Sequence, residues 1–203
     1  MTKVVRELKI VLLGHVAVGK TSIALRFTED KFDPNTESTI GASFLTKSLV
    51  IGDTKYNLKI WDSAGQERYN SLGTMYYKDS DATILVYDVS VRSTFKKMKE
   101  WYEELKNFGP ENIFIVVCAN KTDLENHQIP KSKGDDFAKH NGLEFMETSA
   151  KEGTNIQDLF KLICQSVPEK VLEEKQKNKK SQISLISYEK ENQKQQEEKS
   201  GCC

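Results

Sequence analysis

Eight consecutive residues, Gly14-His15-Val16-Ala17-Val18-Gly19-Lys20-Thr21, constrain this chain more than anything else in it. They fit G-x-x-x-x-G-K-[ST] at every fixed position, after the apolar-rich run Leu8–Leu13 and before a helix predicted to open near Gly19. At such a turn the glycines let backbone N–H groups face inward around phosphate oxygens. Lys20 adds a point charge, the helix N-terminus adds its dipole, and the Thr21 hydroxyl is suited to Mg2+. The other reading is a glycine-rich turn without a ligand. A complete motif in its complete strand-to-helix context favours the phosphate-binding loop.

The rest of the chain reads as one fold class. Apolar runs at Leu8–Leu13, Ala82–Val89 and Ile113–Ala119 predict buried strands, with a shorter one at Leu143–Met146. Ser43–Ile51 and Lys55–Trp61 flank Gly52-Asp53, which predicts an antiparallel hairpin. Phe95, Met98, Trp101/Tyr102, Leu105 and Phe108 recur at helical spacing, as do Ile156, Leu159, Phe160, Ile163 and Val167. Thr154 and Gln157 predict a capping box for the last helix, and Gly134 interrupts a weak helix over Lys131–Asn141. Strands separated by helices imply βα units. The expectation is an α/β domain over residues 6–168: a six-stranded, mostly parallel sheet with one antiparallel edge pair and five helices on its two faces.

Composition excludes several functions. Thirty Lys+Arg balance thirty Asp+Glu, so there is no basic surface for general nucleic-acid binding. No run approaches the ~20 apolar residues of a membrane-spanning helix, and the N-terminus carries neither a signal-peptide core nor a glycine at position 2. Cys118 and Cys164 lie in apolar segments and read as buried thiols of a reducing compartment. Residues 169–203 hold eight basic and seven acidic residues and few large apolar ones, which predicts a flexible tail and no polybasic membrane patch.

A second motif bears on the base. Asn120-Lys121-Thr122-Asp123 follows the run Ile113–Ala119, at the strand edge where open α/β sheets bind ligands. A carboxylate at Asp123 can accept from guanine N1–H and its 2-amino group, a donor pair that adenine lacks. Ser149-Ala150-Lys151 follows a later strand and places the Ala150 N–H to meet guanine O6.

With these residues in view, the chain resembles the Rab family of small GTPases in the Ras superfamily, over residues 6–168 and again at its C-terminal end. Ser38-Thr39-Ile40-Gly41 resembles switch I, and Trp61-Asp62-Ser63-Ala64-Gly65-Gln66-Glu67 resembles switch II, with Ser63 for the usual threonine. Tyr76-Tyr77 and Leu85-Val86-Tyr87-Asp88 are Rab-like, and Ala42-Ser43-Phe44-Leu45-Thr46 is most similar to the early-endosomal branch. The resemblance implies a switch that binds GTP and GDP with Mg2+ and hydrolyses GTP. It implies nucleotide contacts from Gly14 through Ser22, metal ligation by Thr21 and, with GTP, Thr39, and a water-mediated hold from Asp62. Phe32 would pack on the base, the Gly65 N–H would meet the γ-phosphate, and Gln66 would orient the attacking water, a task of positioning. Asn120, Lys121, Asp123, Ser149, Ala150 and Lys151 would hold guanine. Ile40, Phe44, Trp61 and Tyr76 would contact effectors, the last three as an aromatic triad.

The resemblance further implies an exchange factor, a GTPase-activating protein, an escort protein and a dissociation inhibitor as partners. The protein would be a monomer on the cytoplasmic face of endosomal membranes, with a cytosolic pool. The ending Ser200-Gly201-Cys202-Cys203 is not C-a-a-X. Rab proteins commonly end in Cys-Cys and carry two geranylgeranyl groups, and two lipids anchor durably where one does not. Ile183, Leu185 and Ile186 are either a docking spot for the escort protein or solvated residues.

Val16 departs from the family, which generally has Gly, Ser or Ala there. A β-branched side chain is expected to crowd Gln66 and any incoming arginine finger, slowing hydrolysis, unless the loop shifts to absorb it. A GTP-loaded scaffold with little turnover is therefore the alternative reading. A P-loop kinase is a third, opposed by Gln66 in its D-x-A-G-Q setting and by the paired guanine motifs. His15, His127 and His140 lack metal-ligand spacing and read as solvent-facing.

Overall fold

The computed structural model describes residues 4–65 and 76–168. In chain order these form β1 (Val4–Leu13), α1 (Lys20–Glu29), β2 (Ala42–Ile51), β3 (Thr54–Ser63) and β4 (Ala82–Asp88). There follow α2 (Arg92–Phe108), β5 (Phe114–Asn120), α3 (Lys131–His140), β6 (Glu144–Glu147) and α4 (Ile156–Ser166). The six strands make one sheet in the order β2-β3-β1-β4-β5-β6. Every pairing is parallel except β2 with β3, which turn at Gly52-Asp53 and register Phe44 opposite Trp61.

The pattern of side chains explains the layering. Every residue of β4 is buried, as a central parallel strand requires. Because strand side chains alternate, Val11, Leu13, Leu85, Tyr87, Val117 and Ala119 face α2 and α3, where Phe95, Tyr102 and Phe137 pack edge to face. On the opposite face α1 meets α4, with Phe27 and Phe160 stacked at 3.7 Å. Strand β2 alternates half-buried and exposed positions, as befits an edge. Cys118 and Cys164 are buried, and burial pushes both thiols up to about 12.

Several local expectations are corrected. Strand β1 starts at Val4 rather than Leu8, because the long hairpin offers Thr54–Asn57 as partners for Val4–Glu7. Helix α3 runs through Gly134, which is there for closeness: a Cβ would sit 2.3 Å from the Tyr87 hydroxyl and 2.6 Å from the Phe145 ring. The capping box of α4 does not form. Asn155 holds the N-cap position at φ 58°, without a side-chain cap, and its Nδ2 donates to the Glu147 carbonyl instead. Phe108, assigned to the apolar face of α2, is 70% exposed because it lies in the last turn, past the sheet. Four helices lie wholly among the described residues, and Tyr76 and Tyr77 are helical at the edge of the stretch that is not described.

Candidate functional site

The parallel strands β1, β3, β4, β5 and β6 end on one edge of the sheet, and the loops leaving β1, β3 and β5 line a cleft of about 380 Å3. At one end the phosphate-loop motif folds back on itself. Gly14 has φ +153° and Gly19 φ +94°; a Cβ on the first would meet the Val86 carbonyl oxygen at 2.3 Å, and on the second the Asn120 amide nitrogen at 2.4 Å. Both positions therefore exclude any side chain. Lys20 bends back to donate from Nζ to the carbonyls of Gly14 and His15, each at 3.0 Å. Burial lowers the Lys20 ammonium to about 8, with Asp62 working in the opposite direction.

Oxygen donors gather beside this loop. Thr21 Oγ1 donates to Asp62 Oδ2 at 2.6 Å, Thr39 Oγ1 lies 2.8 Å from Thr21 Oγ1, and Thr39 and Ser43 hydroxyls reach the same carboxylate oxygen at 3.2 and 3.4 Å. Burial pushes the Asp62 carboxyl up, and the three hydroxyl hydrogen bonds and Lys20 oppose it. Asp62 Oδ1 is buried without a hydrogen-bond partner among the described residues. A set of hydroxyls with one carboxylate is a hard-oxygen site of the kind that suits Mg2+. No cluster of three or more His, Cys, Asp or Glu occurs among the described residues.

The other end of the cleft is made of side chains. Asn120 donates from Nδ2 to the Val18 carbonyl at 2.9 Å, and its Oδ1 accepts from Thr148 Oγ1 at 3.1 Å and from the Ala150 N–H at 3.3 Å. Ser149 Oγ donates to Asp123 Oδ1 at 2.6 Å, fixing that carboxylate at the wall. Lys121, at φ 67°, pairs with buried Asp88 at 2.7 Å.

The sequence-predicted residues fall into three groups. Val16, Ala17, Gly19, Lys20, Thr21 and Ser22 line the cleft, as do Phe32, Thr39, Gly65, Asn120, Lys121, Asp123, Ala150 and Lys151. Gly14, His15, Val18, Ser149 and Asp62 stand behind that lining as supports through the bonds described above. Gln66, Cys202, Cys203, the tail 169–203 and its Ile183, Leu185 and Ile186 lie outside the described residues. Away from the cleft, Phe44 packs edge-on to Trp61 at 5.2 Å and Trp61 lies 6.5 Å from Tyr76. Phe44 is 51% exposed and Ile40 88%, while Trp61 and Tyr76 are half-buried against the core.

Residues 9–169 match the Ras family. Human Ras-related protein Rab-31 is 45% identical over 165 residues, which is 81% of this chain and 85% of the relative. Human Rab-22A is 45% identical over 80% of this chain and 84% of its own length. The GTP-binding protein ypt5 of Schizosaccharomyces pombe is 46% identical over 79% of this chain and 77% of its own.

The chain belongs to the Ras family, among its Rab proteins. It is accordingly a GTPase that binds GTP and GDP, and not a P-loop kinase. Rab proteins in general work with exchange factors, GTPase-activating proteins and effectors. No helix among the described residues of this Rab is long and apolar enough to cross a membrane.

Three residues at the Rab site escaped the sequence reading. Thr148 and Asp88 act through Asn120 and Lys121, and Arg26 grips the carbonyls of Ala150 and Lys151. Thr148 stands next to the Ser149-Ala150-Lys151 run and could have been added to it. Arg26 lies 124 residues from Ala150, and no local pattern announces it.

Proposed function

We propose that this Rab is a membrane-anchored switch of vesicular trafficking, with a G domain over residues 6–168 and a lipidated tail over 169–203. The observation that carries the reading is one cleft with two unlike ends: the Lys20, Thr21, Thr39 and Asp62 group at one, and the Asn120, Asp123, Ser149 and Ala150 group at the other. A triphosphate at the first end would meet the Lys20 ammonium and the amides of residues 16–21. Thr21 and Thr39 would ligate Mg2+ and Asp62 would hold it through water; the ion supplies charge neutralisation on the phosphates. At the second end Asp123 reads the N1–H and 2-amino group, the Ala150 N–H meets O6, and Phe32 covers the base.

Hydrolysis is a matter of orientation in this scheme. The Gly65 N–H contacts the γ-phosphate and Gln66 aligns the attacking water. Loss of that phosphate releases Thr39 and Gly65, so the segments around Ile40 and the Phe44, Trp61 and Tyr76 rings report the nucleotide state to effectors. Two geranylgeranyl groups on Cys202 and Cys203 anchor the protein to an endosomal membrane, and an escort protein and a dissociation inhibitor handle its cytosolic pool. The match to Rab-31 and Rab-22A supports this setting.

Val16 biases the switch toward its GTP state. Gly65 lies so close to the phosphate loop that a Cβ on it would be 2.4 Å from the Val16 nitrogen, and Gln66 follows directly. That approach is to the Val16 backbone; its β-branched side chain, on a residue that lines the cleft, has little χ1 freedom with which to move aside. Single-turnover phosphate release tests the whole reading. The protein retains labelled GTP against excess ATP, releases phosphate well below the family's ~10⁻⁴ s⁻¹, and regains that rate as Val16→Gly. Exchange of GTP for ATP would sink the guanine site, and a wild-type rate on the family scale would sink the role of Val16 alone.

A further inference from the structure

The loop Ser149–Lys151 is gripped by helix α1. Arg26, in the last turn of that helix, donates from Nε to the Ala150 carbonyl at 2.8 Å and from Nη2 to the Lys151 carbonyl at 2.7 Å. Its remaining nitrogen, Nη1, donates to the Asp30 carbonyl at 3.0 Å and to the Asp30 carboxylate at 3.1 Å. The side chain is mostly buried, whereas that of Asp30 is almost fully exposed. Helix α1 also begins with Lys20 and Thr21. One helix therefore bears the phosphate-end residues at its start and holds the base-end loop near its finish.

Peptide geometry turns this grip into a device. In a planar trans peptide the C=O and the following N–H point in opposite directions. Holding the Ala150 carbonyl against the guanidinium turns the Lys151 N–H away from it, and Ala150 and Lys151 both line the cleft. The Ala150 N–H is steered from the other side by Asn120 Oδ1. Two charge-assisted hydrogen bonds from one rigid fork fix both peptides at once, which a lysine ammonium cannot reproduce.

We propose that Arg26 is a positioning residue for recognition of the base's 6-oxo group: by fixing the Ala150 and Lys151 peptides it sets where their amides meet the base. The inference rests on the guanine site of the proposed function and assigns its rigidity to a residue outside the motif. Asp123 reads the 2-amino group independently of Arg26, so the two contributions separate by substrate.

Full-length wild-type protein and the variants Arg26→Met, Arg26→Lys and Asp30→Asn are loaded with ribose-labelled fluorescent GDP. Release is timed, and relative affinities are measured for GDP, for IDP, which lacks the 2-amino group, and for 2-aminoadenosine diphosphate, which has a 6-amino group. Arg26→Met releases GDP about ten-fold faster, the scale of one charge-assisted hydrogen bond. Its preference for GDP over the 6-amino analogue falls by a similar factor, while its preference for GDP over IDP is unchanged. Arg26→Lys is intermediate on the same ratio and carries the test should the methionine variant fold poorly. Asp30→Asn stays close to wild type. Wild-type release from both Arg26 variants, or equal loss for all three nucleotides, overturns the inference and leaves the guanine site standing. Equal affinity of the wild type for all three nucleotides overturns both.

Discussion

The two ends of the cleft are built on opposite plans. The end proposed for the phosphates is built around backbone: Gly14 and Gly19 are pressed against the Val86 carbonyl and the Asn120 amide, and Lys20 is folded onto two carbonyls, with the Thr21, Thr39 and Asp62 side chains beside them. The base end is made of side chains, a relay from Thr148 through Asn120 with Asp123 held by Ser149. Phosphate offers the same oxygens in every nucleotide, so a cradle of amides serves without discrimination. A base is told apart by its donors and acceptors, which calls for side chains placed one by one. A backbone cradle should fail all at once, and a side-chain reader should fail by degrees.

The largest effect is therefore expected from Gly19→Ala. The new Cβ meets Asn120 Nδ2 at 2.4 Å in a φ +94° conformation, and about 3 kcal/mol of strain corresponds to a loss on the order of 100-fold in affinity. Calorimetric titration should show that loss equally for GDP and IDP. A loss confined to one base would erase the contrast between the two ends. Next comes Asp123→Ala, expected to weaken GDP by about ten-fold or more while leaving IDP much less affected. If both weaken together, Asp123 is holding the loop rather than reading the 2-amino group.

The smallest effect tests how deep the base-end relay goes. Cys118 Sγ lies 3.1 Å from Thr148 Oγ1, and burial pushes the thiol from its usual 9.0 up to about 12. Below pH 9 the thiol is neutral in folded and unfolded chains alike, and its contribution to stability is complete. Between pH 9 and 12 the unfolded chain ionises first, so that contribution drains away as pH rises. Denaturant midpoints should fall less steeply over this window for Cys118→Ala than for the wild type. Equal slopes would mean that the thiol beside Thr148 is not shielded from water in the folded chain.

The same contrast governs what could be read from sequence. The phosphate end is eight contiguous residues with fixed spacing, and the buried runs that became β4 and β5 matched the structure to within a residue at each end. Asn120 and Asp123 were legible because they share one short loop. Arg26 was not, because its partners lie on another element far along the chain. Local rules failed where tertiary contacts override them. Gly134 marks a helix pressed on Tyr87 rather than a helix end, and Asn155 spends its side chain on Glu147 instead of a cap. Of the aromatic triad expected at the surface, Phe44 is strongly exposed, whereas Trp61 and Tyr76 are half-buried against the core.

Gly134 also has a consequence for motion. A glycine inside a ten-residue helix costs roughly 1 kcal/mol of helix propensity, and Pro130 at the N-cap gives α3 no side-chain cap. Strand β6, beside it, has four residues and a single pairing partner among the described residues. Hydrogen exchange is expected to show the amides of this corner opening ahead of those in β1 and β4. Strand β6 leads directly into Thr148, Ser149 and Ala150. The Thr148–Ala150 loop thus hangs from a four-residue edge strand, and a nucleotide held there is expected to begin leaving base first.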